Sequence, residues 1–110
     1  MHQFKYHQGA LHCEEVNLQN LAEDYGTPLY VYSSQTLRNN YKRLHEALGN
    51  LDHHIAFAVK ANSNLSVLRL LADLGSGFDI VSGGELFRVI KAGGDPKRCS
   101  FAGVGKTTEE

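Results

Sequence analysis

The sequence lacks paired cysteines, an excess of one charge and any long apolar run. Cys13 and Cys99 stand apart, without the spacing of a zinc or redox motif, and this predicts free thiols. The formal net charge is −1, so no single-sign field is expected to attract nucleic acid or an acidic membrane. No stretch approaches the ~18 apolar residues of a membrane span, and the N-terminus lacks a signal-peptide core. These absences predict a cytoplasmic protein that binds neither nucleic acid nor membrane.

The six histidines do not form a metal-binding pattern. They are scattered, and only His53 and His54 are adjacent. Because neighbours in an extended segment point to opposite faces, that pair suits a shared metal poorly. We therefore predict no metal site.

What is present is a regular alternation of buried strands and amphipathic helices. The composition, 42% hydrophobic and 21% charged, is that of an ordinary soluble globular domain. Helix-stopping glycines stand at Gly75 and Gly93. The order βαβαβ is typical of a parallel sheet, so the fold class is predicted to be α/β. The predicted strands are 55–60, 78–82 and 100–104, and the helices between them are 67–74 and 86–90.

The residues before this alternation predict a helix, a strand and a second helix. Apolar residues recur at helical spacing over 18–25. The aromatic and β-branched run 29–32 predicts a strand, followed by Ser33-Ser34 as candidate N-caps. The next helix is predicted over 37–48, with Gly49 at its C-terminal cap.

The last four residues, 107–110, have the features of a helix N-terminus. Two threonines can cap it, and two glutamates suit the positive end of the helix dipole. A helix that starts and does not continue favours a truncated chain. Three parallel strands also leave an exposed edge, whereas a closed (β/α)8 barrel needs about 250 residues.

Lys60 is the first candidate functional residue. It ends a predicted strand, where it would lie beside Ala58 and Ala56 while the bulky Phe57 and Val59 face the other way. A lysine over a space cleared by alanines, at the C-terminal end of a parallel strand, stands where α/β proteins place their sites. A partly desolvated lysine can attack a carbonyl to form an imine. The alternative is a lysine that snorkels from a strand end into solvent, and for an isolated lysine this alternative is favoured.

A second motif, Gly103-Val-Gly-Lys-Thr107, invites a nucleotide-binding interpretation. The P-loop pattern G-x-x-x-x-G-K-[ST] requires glycine at position 100, where the chain has Ser100. Binding of a nucleoside triphosphate is therefore rejected.

Several ordered motifs together resemble one enzyme family. Ala58-Val-Lys60-Ala-Asn62 follows a predicted strand, and Gly77-Phe-Asp-Ile-Val-Ser-Gly-Gly-Glu85 spans the next one. They resemble the fold-type III pyridoxal-phosphate (PLP) enzymes, the group of alanine racemase and eukaryotic-type ornithine decarboxylase. Within that group, Gly26-Thr-Pro-Leu-Tyr-Val-Tyr32 and Ser82-Gly-Gly-Glu-Leu86 are most similar to the diaminopimelate decarboxylases. The resemblance covers nearly the whole chain.

By this resemblance Lys60 is the catalytic lysine that forms a Schiff base with PLP, and Ala58 and Asp79 contribute to cofactor binding. A carboxylate at Asp79 would hold a cationic lysine or iminium in place, although Asp79 could instead end its strand or cap the next turn. Glu85 matches a further acidic position near the site, but a glutamate in a first helical turn needs no function. The glycines after Ser82 would allow close backbone approach at a helix N-terminus.

The resemblance also implies the fold, the reaction and the partners. Residues 33–110 would form the first βα units of a PLP-binding (β/α)8 TIM barrel, and 1–32 would belong to a β-rich domain and the entrance of the barrel. The complete enzyme would be a homodimer that decarboxylates meso-diaminopimelate, a small amino acid, to L-lysine and CO2. The 110 residues alone would be inactive, because other parts of the family's site are absent from them.

Two alternatives stay open at this point. An arginine or ornithine decarboxylase would keep Lys60 and differ in substrate residues that lie elsewhere. A non-catalytic PLP-binding barrel has less use for an extension such as 9–32. Alanine racemase is disfavoured because 60–65 lacks the Tyr-Gly-His-Gly run that commonly follows its lysine.

Overall fold

The computed structural model describes residues 2–110, which separate into two units. The first unit extends to Asn40, and the second begins at Tyr41. No helix in the described range is long and apolar enough to cross a lipid bilayer. Within the same range, no three or more histidine, cysteine, aspartate or glutamate side chains are grouped so that they could hold a metal ion.

The first unit opens with a three-stranded antiparallel sheet. Its strands are β1 (Phe4–His7), β2 (Ala10–Cys13) and β3 (Val16–Asn17), in the order β1-β2-β3. The chain turns between β1 and β2 through Gln8 and Gly9, both at positive φ (49° and 82°), as in a type I′ hairpin turn. The sequence pattern does not indicate these strands, because polar and apolar residues mix without a clear period over the first dozen positions.

The next segment confirms one prediction and corrects another. The helix predicted over 18–25 is confirmed as α1 (Leu18–Tyr25). Asn17 caps it, since Oδ1 of Asn17 accepts the backbone N–H groups of Gln19 (2.8 Å) and Asn20 (3.3 Å). The strand predicted over 29–32 is wrong. The run has the side chains of a strand, but no strand within residues 2–110 forms a ladder with it.

Helix α2 (Ser34–Leu48) begins at the candidate N-caps Ser33-Ser34, as predicted, and the apolar period that starts at Leu37 lies within it. The buried Ser33 Oγ accepts the N–H of Thr36 (2.9 Å), as predicted for an N-cap serine. The Glu14 carboxylate accepts the N–H of Gln35 (2.8 Å) and the hydroxyl of Ser33 (2.8 Å). The turn between β2 and β3 is thereby tied to the start of α2.

The bonds to Glu14 make the first unit sensitive to pH. They lower the pKa of Glu14 below its ordinary value of 4.5, first through the Gln35 N–H and then through the Ser33 hydroxyl. A lowered carboxyl pKa stabilises the fold above the unfolded value, and the stabilisation is lost as the pH falls through the folded value. We therefore expect Glu14→Gln to reduce the free energy of unfolding at neutral pH, with a difference from wild type that shrinks on acidification below 4.5.

Urea unfolding at a series of pH values measures this difference. Glu15→Gln is the matched control, because Glu15 is the adjacent exposed carboxylate and makes no hydrogen bond within residues 2–110. The control should follow the wild-type pH dependence. A loss in Glu14→Gln that stays constant from neutral to acid pH would contradict the role of the ionised carboxylate.

The second unit contains the predicted parallel sheet. Its strands are β4 (Ala56–Ala58), β5 (Gly77–Ile80) and β6 (Cys99–Phe101), in the order β4-β5-β6, and both pairings are parallel. Helix α3 (Leu65–Asp73) connects β4 to β5, and α4 (Gly83–Lys91) connects β5 to β6. The βαβαβ order and the α/β class are therefore confirmed.

Both helices of this unit begin earlier than predicted because a side chain caps each of them. Asn64 Oδ1 accepts a backbone N–H of the first turn of α3 (2.9 Å). Ser82 Oγ accepts the N–H of Glu85 in α4 (3.2 Å). Gly75 and Gly93, at φ 86° and 88°, follow the two helices at the predicted stops.

The strands end earlier than predicted. The three runs were expected to reach positions 60, 82 and 104, but the ladders stop at Ala58, Ile80 and Phe101. After β4 the chain enters a 3₁₀ turn, after β5 it enters the cap of α4, and after β6 it enters a loop. An apolar run is thus longer than the part of it that finds a strand partner.

The core of the second unit lies on one face of the parallel sheet. Phe78 and Ile80 of β5 are 0% and 2% exposed, and the side chains of Phe78 and Val89 (α4) both lie close to Gly94. Each such side chain contributes about 1.5–3 kcal/mol when fully buried. The buried apolar residues of the unit are Val59, Val67, Leu68, Leu71, Phe78, Ile80, Val89 and Ala92.

Gly77 is required by a close approach at the start of β5. A Cβ at this position would collide with the backbone oxygen of Arg98 and with the imidazole of His54. The imidazole is itself held, since Arg98 Nη2 donates to His54 Nδ1 (3.3 Å). The backbone oxygen cannot move without disturbing the entry into β6, so the site has no room for a side chain.

We expect Gly77→Ala to lower the free energy of unfolding by about 1–3 kcal/mol through overpacking. Gly84→Ala is the control, because a Cβ there meets nothing closer than Ser82 Oγ at 3.8 Å. Urea unfolding of both variants measures the contrast. Equal stability of Gly77→Ala and wild type would contradict the packing described at β5.

Two histidines fix the segment that leads from α2 into β4. His53 Nδ1 donates to the backbone oxygen of Leu51 (2.8 Å), so Nε2 of a neutral His53 accepts from His45 Nδ1 (2.8 Å). Both rings line an open cleft of about 390 Å³ at the N-terminal edge of the sheet. Gly49, at φ 55°, follows α2 as predicted. This edge is opposite to the one at which Lys60 leaves β4.

Both cysteines are free, which confirms that prediction. Burial raises the pKa of the Cys13 thiol, and the charge of Glu14 adds to the effect. Burial also raises the pKa of the Cys99 thiol, with a smaller contribution from Asp95. A raised thiol pKa keeps the group protonated at neutral pH, and a protonated thiol is a poor nucleophile.

The helix start predicted at 107–110 is not assigned as helix. The reciprocal hydrogen bonds of a capping box are formed there nonetheless. The Glu110 N–H donates to Thr107 Oγ1 (3.3 Å), and the Thr107 N–H donates to the Glu110 carboxylate (3.3 Å). The four residues contain the cap alone, and intrahelical hydrogen bonds would need further turns.

Candidate functional site

An open cleft of about 480 Å³ lies at the C-terminal edge of the parallel sheet. It is bounded by the segment that follows β4 and by the start of α4. Because α/β proteins bind their ligands at the C-terminal ends of parallel strands, this cleft is the candidate site. Its lining residues are Val59, Lys60, Ser63, Ser82, Gly84, Glu85 and Arg88.

Lys60 lies on a 3₁₀ turn and not on a strand. The turn comprises Val59–Ala61, so the predicted alternation of Lys60 with Ala58 and Ala56 is wrong. The turn keeps Val59 wholly buried (0% exposed) and lets the next residue leave the core. Lys60 is exposed and has no hydrogen-bond or ion-pair partner within residues 2–110. Its amine is therefore free to meet a ligand.

The segment after Lys60 is held by local hydrogen bonds. The Asn62 N–H donates to the backbone oxygen of Val59 (3.1 Å) and closes the 3₁₀ turn. Asn62 Oδ1 accepts the N–H of Asn64 (3.0 Å), and Asn64 in turn caps α3. The lysine thus stands on a braced turn whose base is the buried Val59.

The face of the sheet opposite the core carries small side chains and one carboxylate. Ala58, Asp79 and Ser100 are neighbours across the three strands, because they are partners in the parallel ladder. Side chains alternate along each strand, so these residues share a face with Ala56 and Gly77. Asp79 neither ends β5 nor caps the following turn, which were the two structural roles considered for it.

The predicted site residues do not all line one cleft. Lys60 and Glu85 line it, whereas Ala58 and Asp79 belong to the sheet face and are not among its lining residues. No ion pair joins Lys60 to Asp79, since the one ion pair found in residues 2–110 is Arg69–Asp73. Cofactor binding by Ala58 and Asp79 stays a prediction.

The junction of β5 and α4 forms another wall of the cleft. Ser82 Oγ accepts the Glu85 N–H (3.2 Å), and the Glu85 carboxylate accepts the Val81 N–H (2.7 Å). This is the reciprocal pattern of a capping box, displaced by one residue at the outer bond. Helix capping is therefore sufficient to explain Glu85. The space above Gly84 is open, whereas the Gly83 N–H donates to the Glu110 carboxylate (3.3 Å), and the close approach predicted for the glycines stays a prediction.

The segment 103–107 does not line the cleft. Lys106 Nζ donates to the backbone oxygen of Phe101 (2.9 Å) and lies 5.0 Å from the centroid of its ring. Gly103 is required because a Cβ would come within 2.6 Å of the Val81 backbone oxygen. The lysine therefore folds back onto its own strand.

Sequence patterns did not single out Ser63 or Arg88, although both line the cleft. Arg88 Nη1 donates to the backbone oxygen of Ser63 (3.4 Å) and joins α4 to the segment after Lys60. One signal was available, because Arg88 is three residues after Glu85 and shares its helix face. Ser63 contributes a backbone carbonyl, which no sequence pattern reveals.

Comparison with protein families matches this part of the chain. The pyridoxal binding domain of the pyridoxal-dependent decarboxylases matches residues 34–110, which include the parallel sheet and the cleft. The chain belongs to the pyridoxal-dependent decarboxylase family. The predicted family and its cofactor, PLP, are thereby confirmed.

Individual relatives agree with this membership. The diaminopimelate decarboxylase of Vibrio cholerae serotype O1 is 56% identical over 111 residues, which cover 100% of this chain and 27% of the relative. A crystal structure of an Aquifex aeolicus protein superimposes with a TM-score of 0.91 at 47% identity, covering 98% of this chain and 27% of that one. The M. jannaschii diaminopimelate decarboxylase in co-complex with L-lysine gives a TM-score of 0.86 at 36% identity, covering 97% and 26%.

The chain thus spans about a quarter of the length of the relatives that it matches. The predicted fold, the N-terminal portion of a PLP-binding barrel, is confirmed by these superpositions.

The capping role predicts different effects for two substitutions at Glu85. Glu85→Ala removes the acceptor of the Val81 N–H and is expected to lower the free energy of unfolding by about 0.5–1.5 kcal/mol. Glu85→Gln keeps an acceptor oxygen and is expected to stay within about 0.5 kcal/mol of wild type. Urea unfolding measures both. Equal losses would contradict the capping role, and weaker PLP binding in Glu85→Gln with unchanged stability would assign the charge to the site.

Proposed function

We propose that the whole protein is a PLP-dependent decarboxylase that converts meso-diaminopimelate to L-lysine and CO2, with Lys60 as the residue that bonds to the cofactor. The observation that carries the proposal is the free Lys60 amine at the C-terminal edge of the sheet, inside the segment that matches the pyridoxal binding domain. The Vibrio relative and the L-lysine complex support the choice of substrate and product.

The residues of the candidate site fit PLP. Ala56 and Ala58 leave the β4 part of this face open for a flat ring, whereas the space beside Gly77 is filled by the His54 imidazole. The cleft, at about 480 Å³, has the size of a cofactor site. The Lys60 amine has no competing partner within the described chain, so it would be the residue that holds the cofactor through its aldehyde.

In this proposal, the residues of this chain hold and orient the cofactor. PLP, when bound, withdraws electrons from the substrate so that a carboxylate can leave as CO2. Lys60 retains the cofactor, and Ala58 leaves room beside it. Asp79, the carboxylate of the small-residue face, would favour the protonated form of a nearby nitrogen. The cap made by Ser82 and Glu85 fixes one wall of the cleft.

The remaining architecture belongs to the same proposal. Residues 33–110 would supply the first βα units of the barrel, and 1–32 would associate with a β-rich domain, an assignment supported by the antiparallel strands in that segment. The enzyme would act as a homodimer in the cytoplasm. An arginine or ornithine decarboxylase and a non-catalytic barrel have less support, because the Vibrio and M. jannaschii relatives are diaminopimelate decarboxylases.

The test is chemical trapping of the cofactor. The full-length protein is mixed with PLP, reduced with borohydride and digested, and the peptides are mapped by mass spectrometry. We expect the cofactor to be found covalently attached to Lys60, and we expect an absorption band at about 420 nm before reduction. We also expect lysine formation from meso-diaminopimelate, lost in Lys60→Ala because the attacking amine is gone.

Lys42→Ala is the matched control, since Lys42 is an exposed lysine of the same unit that does not line the cleft. The control should keep both the adduct and the activity. Cofactor trapped mainly on a lysine other than Lys60 would overturn the assignment. An adduct on Lys60 with turnover of ornithine or arginine, and none of meso-diaminopimelate, would overturn the substrate.

A further inference from the structure

Arg88 connects two walls of the cleft that are otherwise separate in the chain. Its Nη1 donates to the backbone oxygen of Ser63 at 3.4 Å, across 25 positions of sequence. Within residues 2–110, it is the one side chain from another element that hydrogen-bonds to the segment 59–64. Apart from the sheet ladder, the other bonds of that segment are made among neighbours between Val59 and Leu68.

The position of Arg88 on α4 is itself fixed. The preceding turn of α4 is capped by Ser82 and Glu85, and the following residue, Val89, is wholly buried (0% exposed). Rotation of α4 about its axis would expose Val89 to water, so the helix keeps one orientation against the sheet. Arg88 is therefore a side chain on a rigid element that contacts a short irregular segment.

The contact is suited to ordering the segment and not to holding the fold together. A guanidinium donor makes a charge-assisted hydrogen bond, but Arg88 is exposed and the bond is long, so its contribution to global stability is small. The segment that it meets is the one that carries Lys60. Removing one bond there would loosen the turn while the core beneath it stays packed.

We propose that Arg88 is a positioning residue that holds the segment 60–64, and through it the Lys60 amine, in the orientation in which the amine captures PLP. The proposal rests on the function proposed for Lys60. It adds that capture depends on a cation of α4 that does not itself bond to the cofactor.

The test compares three variants of the full-length protein: Arg88→Met, Arg88→Lys and Lys91→Met. Arg88→Met keeps the length of the side chain and removes the donor, whereas Arg88→Lys keeps a cationic donor. Lys91→Met is the matched control, because it removes an exposed cation of the same helix that does not line the cleft. Thermal unfolding of every variant is measured first and is expected to stay near wild type.

Two readouts follow. Hydrogen–deuterium exchange of the amides at 62–64 is measured without PLP, and the rate at which borohydride traps PLP on Lys60 is measured with it. We expect Arg88→Met to speed the exchange and slow the trapping, each by about 3- to 10-fold, as for the loss of one charge-assisted hydrogen bond. Arg88→Lys should restore part of both, and Lys91→Met should change neither.

The two possible failures are distinguishable. If wild type traps PLP on Lys60 and Arg88→Met does so at the same rate, with unchanged exchange at 62–64, Arg88 has no positioning role. The same conclusion follows if Lys91→Met slows trapping as much as Arg88→Met, because the effect would then be one of general charge. If wild type traps no PLP on Lys60, the proposed function itself is wrong, and the inference is overturned with it.

Discussion

The parallel pairing of β4 with β5 determines where the other elements of the second unit lie. Its register places Ala58 beside Asp79, and the ends of both strands therefore reach the same edge of the sheet. There the turn that carries Lys60 and the capped start of α4 face one another across a cleft. A slip of one residue would turn Phe78 out of the core and towards the small-residue face. The close contact at Gly77 opposes such a slip, because it admits no side chain at that position.

The order of the second unit could be predicted because its signals are local. Apolar runs and glycine stops each act within a few residues, and a crossover helix makes the strands parallel. The motif around Lys60 predicted the correct edge of the sheet but the wrong conformation. Val59 is wholly buried in the 3₁₀ turn that replaces the end of the predicted strand. The contact of Arg88 with Ser63 could not be predicted, since it depends on how α4 packs.

The first unit illustrates the limit of local signals. Helix α1 has a clear period and an asparagine cap, so its position could be predicted. The antiparallel sheet has short strands, and positive φ falls on Gln8 beside Gly9 in one turn and on Glu14, without a glycine, in the other. The run 29–32 is the converse case: its side chains are typical of a strand, but it pairs with no strand in residues 2–110. Periodicity is a property of one segment, whereas pairing requires two.

The hydrogen bond between His45 and His53 bears on which parts of the sequence can vary independently. It fixes the approach to β4 from the edge opposite to the cleft that Lys60 lines. In barrels of this kind, the N-terminal edge is shaped by the needs of folding and the C-terminal edge by the reaction as well. Substitutions at His45 or His53 would thus change the entry into β4, while the residues that line the Lys60 cleft stay as they are. One end of the sheet can therefore vary in sequence without altering the other.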